Sequence, residues 1–149
     1  MKICVIGLGK MGSTLVQGML DNEVFTPEEV IGCDLKVENK ENNPQYNEIK
    51  TINDNKKGAE SGEVIILAVK PQIIDEVLEE IKDKTTNKLI ISIAAGITIE
   101  HLQKSLTEST RIIRVMPNTP ALVKAGMSAY SPGENVTNRD LNLVENILQ

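Results

Sequence analysis

Short runs of aliphatic and β-branched residues alternate along this chain with segments whose apolar residues recur every three or four positions. The pattern predicts strands at Ile3–Ile6, Val30–Asp34, Ile49–Ile52, Val64–Val69, Leu89–Ile93 and Arg111–Met116. Four of these (the first and the last three) are nearly continuous apolar runs rather than alternations, as expected of parallel strands covered on both faces. Between them, Met11, Leu15 and Met19 recur at helical spacing, and so do Ile73, Ile74, Val77, Leu78 and Ile81 behind a first-turn proline, Pro71. Asp75, Glu76, Glu79 and Glu80 fall on the wet face of that second helix. Thr98 is placed to cap a helix carrying Ile99, Leu102 and Leu106. Strands alternating with helices predict βαβ units and a doubly wound, mainly parallel sheet of the α/β class.

Two regions break the pattern. Residues 37–57 are rich in Asn, Lys and Glu around Pro44 and predict a reduced or irregular crossover. Thr137 to Gln149 carries Leu141, Val144 and Leu148 on one helical face but ends with neither a capping glycine nor a following strand. The reading is one domain over residues 1–134, then the start of a further helix over 135–149 that reads as cut rather than finished.

Composition narrows the chemistry. The 149 residues include Phe25, Tyr46 and Tyr130 as their only aromatics, so the core has to be aliphatic. A net charge of −5 and so few aromatics argue against nucleic-acid binding, which needs a basic patch or a stacking platform. No apolar stretch approaches the roughly 20 residues of a membrane span, and no signal peptide precedes the first strand, which suggests a cytoplasmic protein. Two cysteines, Cys4 and Cys33, and one histidine, His101, supply neither a disulfide framework nor a metal-ligand set, so no metal is expected. The cysteines read as reduced core residues, and His101 as an exposed helix residue.

Gly7-Leu8-Gly9-Lys10-Met11-Gly12 fits G-x-G-x-x-G between a strand and a helix. In that setting Gly7 permits the tight turn, Gly9 lets a pyrophosphate approach the backbone, and Gly12 lets the helix close on its strand. The helix N-terminus then offers free N–H groups to the phosphates. Asp34 ends the next strand 22 residues past Gly12, near the spacing of an acid that binds the adenosine ribose. It would suit NAD(H) and repel the 2′-phosphate of NADP(H) unless Lys36 or Lys40 offsets it. Asp34 also reads as a simple cap of the strand-to-loop turn.

The later strand ends are more distinctive: Ala68-Val69-Lys70-Pro71; Ser92-Ile93-Ala94-Ala95-Gly96-Ile97-Thr98; and Arg114-Val115-Met116-Pro117-Asn118-Thr119-Pro120, followed by Gly126-Met127-Ser128. With the glycine turn, this series resembles pyrroline-5-carboxylate reductase from Met1 to about Asn138. The resemblance implies a Rossmann-type domain that binds NADPH or NADH and transfers hydride to C5 of 1-pyrroline-5-carboxylate, giving L-proline. It implies cofactor contacts from Ile6, Gly7, Leu8, Gly9, Lys10, Met11, Gly12, Asp34, Asn55, Ala68, Val69, Lys70, Pro71, Ala94, Ala95 and Gly96. Lys70 and Asn118 should stand near nicotinamide and substrate, although Lys70 reads equally as a strand-end lysine reaching solvent. Many relatives carry Ser, Asn or Thr where Asp34 stands, which shifts the expectation toward NADH or dual use.

In this family the carboxylate-binding loop, the proposed proton donor and the homo-oligomer contacts lie in a helical C-terminal domain, for which no segment occurs here. No catalytic residue is therefore assigned in this chain, and the chain alone is expected to bind cofactor without turnover. The alternatives are another β-hydroxyacid-type dehydrogenase, a noncatalytic dinucleotide-sensing module, and a purely structural paralogue.

Overall fold

The computed structural model describes residues 1–34, 48–116 and 129–148. Among these, seven strands form one sheet in the order β3-β2-β1-β4-β5-β6-β7. They are β1 (Ile3–Ile6), β2 (Val30–Cys33), β3 (Lys50–Ile52), β4 (Val64–Leu67), β5 (Leu89–Ser92), β6 (Arg111–Met116) and β7 (Ala129–Pro132). The first six pair in parallel, and only the β6–β7 pair is antiparallel. The strand order reverses between β1 and β4, and ligands of open α/β sheets bind beyond the strand ends at that switch.

Both faces are covered. Strands β1, β2, β4 and β5 are buried along their whole length. On one face Ile3, Val5, Ile66, Ile91 and Val115 pack with Val16 and Met19 of α1 (Lys10–Asp21) and Val144 and Ile147 of α5 (Asn138–Leu148). On the other, Cys4, Ile6, Ile65, Leu67, Ile90 and Ile112 pack under α2 (Asn55–Ser61), α3 (Ile74–Ile81) and α4 (Ile99–Ser105). Each fully buried aliphatic side chain contributes about 1.5–3 kcal/mol against leaving it in water. Two aliphatic layers therefore hold the sheet without large aromatics.

Two elements depart from the sequence pattern. Helix α2 lies where the irregular crossover was expected to end. Its N-cap, Asp54, accepts the Lys57 N–H at 3.1 Å, and its buried face is only Gly58 and Ala59. A Cβ at Gly58 would lie 2.1 Å from Cys33 Sγ, so the helix sits on the sheet with no room for a side chain. An apolar stripe could not mark a helix that packs this closely. Strand β7 is the other departure: a short antiparallel edge strand with Ser131 and Pro132 exposed leaves no apolar run to find.

Candidate cofactor-binding site

The turn between β1 and α1 is shaped by contacts that admit no side chain. Gly7 has φ +98°, and a Cβ there would meet Ala68 O at 2.7 Å. A Cβ at Gly12 would lie 1.9 Å from Gly7 O. A Cβ at Gly9 would meet nothing within 4 Å, so the backbone at the mouth of α1 faces open space. Gly9 is also the N-cap of α1 and provides no side-chain cap, and the first turn has no acidic residue. The orphan N–H groups and the helix dipole are therefore available to an anion.

The end of β2 holds this turn from beside it. Gly7 N–H donates to Cys33 O at 2.8 Å, and Leu8 N–H donates to Asp34 Oδ2, also at 2.8 Å. Asp34 N–H in turn reaches Ile52 O at 3.1 Å. Asp34 is thus partly buried between the glycine turn and the end of β3. Asn55 is the first residue of α2 and half-buried on the same side of the sheet.

Across the switch, Ala68 N–H donates to Ile6 O at 2.8 Å, and Ile93 N–H to Leu67 O at 3.1 Å. These bonds carry the sheet register into the next two turns. Ala68 and Val69 are half-buried, and Lys70 is exposed just before a 3-10 turn at Pro71–Ile73 that leads into α3. In the β5–α4 turn, buried Ser92 Oγ accepts the Ala94 N–H at 3.3 Å. Ala95 and Gly96 are exposed there, and Gly96 has φ +76° with open space above it. Ile6 to Gly12, Asp34, Asn55, Ala68 to Pro71 and Ala94 to Gly96 therefore share the carboxyl edge of the sheet. Asn118, Lys36 and Lys40 lie outside the described residues.

Other side chains near this edge are not among the sequence-predicted site residues. Ile73, at the end of the 3-10 turn after β4, and Met116, the last residue of β6, are exposed apolar residues, 40% and 56% accessible. Arg114 follows Ile112 by two positions and so faces the α4 side. Its Nε is buried and has no hydrogen-bond partner among the described residues. By contrast, the buried hydroxyls of Thr85 and Thr110 bond each other at 3.1 Å. His101 is exposed on α4, but its ring is paired with Asp75 of α3 at 2.5 Å.

Cys4 and Cys33 are fully buried with their sulfurs 3.6 Å apart. The hydrogen bond with Cys33 and the burial both push the Cys4 thiol far up, so it stays protonated. Among the described residues no group of three or more His, Cys, Asp and Glu side chains could hold a metal ion. No helix among them is long and apolar enough to cross a membrane. A cleft of about 730 Å³ lined by Lys88, Arg111, Arg139 and Asp140 contains none of the sequence-predicted site residues.

Residues 2–96 match the family described as NADP oxidoreductase, coenzyme F420-dependent. The chain is 40% identical over 141 residues to pyrroline-5-carboxylate reductase of Methanosarcina acetivorans, covering 94% of this chain and 52% of the relative. Among solved structures it is similar to pyrroline-5-carboxylate reductase of Coxiella burnetii, with a TM-score of 0.91 and 35% identity over 99% of this chain and 55% of that one. It is also similar to the Plasmodium falciparum pyrroline carboxylate reductase with NADP bound, with a TM-score of 0.86 and 32% identity over 99% of this chain and 53% of that one. The chain spans about half the length of the curated relatives it matches.

Proposed function

The chain belongs to the NADP oxidoreductase, coenzyme F420-dependent, family and is similar over nearly its whole length to about half of pyrroline-5-carboxylate reductases; on that premise we propose that it supplies the cofactor-binding half of a 1-pyrroline-5-carboxylate reductase. The observation that carries this reading is the convergence of the glycine turn, Asp34 and the turns at 68–71 and 94–96 on one edge of the sheet at its topological switch. The turn suits a dinucleotide: Gly7 and Gly12 let it close against Ala68 and its own backbone, where a Cβ would clash, while the backbone at Gly9 stays open.

A bound NAD(P)H would supply the hydride for reduction of a cyclic imine. The N–H groups at the start of α1 would take the pyrophosphate, with Lys10 beside them. Asp34, already fixed by Leu8 N–H, would lie against the adenosine ribose. The small residues Ala94, Ala95 and Gly96 would let the nicotinamide ring approach the backbone, and Lys70 would stand at the mouth. The chain's part in catalysis is then to fix one reactant in place, which lowers the barrier through orientation rather than through an acid or a base. The protein is proposed to use NADP(H), with Asp34 retaining acceptance of NAD(H). The substrate's carboxylate and proton would be handled by residues outside these 149.

Titrating the purified chain with NADPH and NADH, followed by nicotinamide fluorescence, tests the reading. Saturable binding of at least one is expected, with no oxidation of cofactor when 1-pyrroline-5-carboxylate is added to the chain alone. Binding of neither overturns the cofactor-domain reading. Rapid turnover by the chain alone overturns the division of labour.

A further inference from the structure

We propose that His101 and Asp75 are a positioning pair that sets the separation of the two turns lining the nicotinamide end of the site, an inference that rests on the cofactor reading above. Asp75 lies in the first turn of α3, four residues after Pro71. His101 lies in the first turn of α4, five residues after Gly96. Each helix therefore opens directly out of one of the two turns. Among the described residues the backbone ties the turns to each other only at the strand ends, through Ile93 N–H and Leu67 O, and Gly96 at φ +76° leaves its turn conformationally permissive.

The pair closes that gap. His101 Nε2–H donates to Asp75 Oδ1 at 2.5 Å. His101 is itself held at its backbone, where its N–H donates to the Thr98 Oγ1 cap at 3.1 Å and its carbonyl accepts from Ser105 Oγ at 3.2 Å. Among the described residues this is the side-chain bond that joins α3 to α4. The two side chains are exposed, 43% and 73% accessible, so the pair adds little to global stability. Its effect falls instead on local geometry, where a small displacement of a positioning element weakens alignment.

Two ligands separate this role from a merely structural one. NADPH spans both ends of the crevice, whereas 2′,5′-ADP carries only the adenosine half. Calorimetric titration of the 149-residue chain should show His101→Ala raising the NADPH Kd about threefold while leaving the 2′,5′-ADP Kd unchanged. His101→Gln, whose amide can donate to Asp75, should return NADPH binding toward the wild-type value. Unchanged NADPH binding in His101→Ala, equal weakening of both ligands, or a selective loss that His101→Gln does not restore would each overturn the proposal. A wild-type chain that binds neither ligand overturns the cofactor reading, and this proposal with it. Normal wild-type binding with an unaffected His101→Ala overturns this proposal alone.

Discussion

Leu8 N–H donates to Asp34 Oδ2 at 2.8 Å across 26 positions of sequence, so the carboxylate that ends β2 also pins the glycine turn that β1 leads into. The turn-anchor reading of Asp34 is therefore an observed contact, and the same bond keeps the carboxylate beside the glycine turn at the carboxyl edge of the sheet.

This bond dictates which substitution tests cofactor choice. Asp34→Asn keeps an oxygen that can accept from Leu8 N–H while removing the charge. It should raise the affinity for NADPH relative to NADH by about tenfold, a difference of about 1.4 kcal/mol. Asp34→Ala removes the anchor as well and should weaken both cofactors. Competitive titrations of the two variants read these outcomes, and an unchanged ratio in Asp34→Asn would show that the charge does not select the cofactor.

The glycine turn gives a steeper prediction. Gly12→Ala places a methyl 1.9 Å from Gly7 O, against backbone that is itself wedged under Ala68. The turn has to open, and NADPH binding should fall more than about thirtyfold, with a stability loss of about 2–4 kcal/mol by urea unfolding. Gly9→Ala meets no protein atom within 4 Å, so it should leave stability nearly unchanged and impair binding only. A stability loss in Gly9→Ala equal to that in Gly12→Ala would contradict the assignment of open space at Gly9.

At the far end of the sheet, Arg111 holds α5 through Asp140, with Nε and Nη2 at 2.7 and 3.3 Å from its carboxylate. Thr137 completes the cap through its N–H, at 3.0 Å. Burial of Asp140 opposes its ionisation, but the Arg111 and Thr137 bonds together outweigh that and hold its carboxyl below the usual range. A folded-state pKa below the unfolded one gives stability that is fully present above about pH 4 and lost as pH falls through the folded value. Asp140→Asn should cost about 2 kcal/mol at pH 7 and should flatten the acid limb of the stability profile. Chemical denaturation between pH 2 and 7 measures both effects; an acid limb as steep as wild type would remove Asp140 as its source.

Arg114 behaves in the opposite sense. Among the described residues its buried Nε has no partner, a cost that an apolar side chain of similar length avoids. Arg114→Met should be neutral or stabilising in thermal unfolding of the isolated chain. A loss above about 1 kcal/mol would mean that the guanidinium is better satisfied than this geometry allows.

The two core thiols should be inert. Cys4 and Cys33 are fully buried, and the Cys4 thiol is held protonated, whereas the thiolate is the reactive form. Neither should react with a water-soluble thiol reagent in native buffer, and both should react on unfolding. Fast stoichiometric labelling of the native chain would contradict the packing under Gly58.

The strands were legible because a strand buried on both faces must be apolar at every position, and Ile3–Ile6, Val64–Leu67 and Leu89–Ser92 carry that mark nearly unbroken. The Thr98 cap and the first-turn Pro71 were legible because they act within one helical turn of sequence. The glycine turn was legible for the same reason: its shape depends on backbone freedom at fixed short spacings. Helix α2 was not, since its buried face is Gly58 and Ala59, and hydrophobic periodicity cannot report a helix chosen for closeness. Strand β7 was not, because an antiparallel edge needs only one partner and little burial.

By itself, then, the sequence determined the alternation of elements, the aliphatic core and the glycine turn, all of which depend on local spacing and on burial of individual side chains. Only the tertiary structure decided that Asp34 pins Leu8, that His101 meets Asp75 and that Arg111 finds the Asp140 carboxylate. Those pairs are 26, 26 and 29 residues apart, and each depends on which strand ends the sheet order brings side by side. A residue's type shows that it needs a partner, but the chain path through the fold determines which partner it gets.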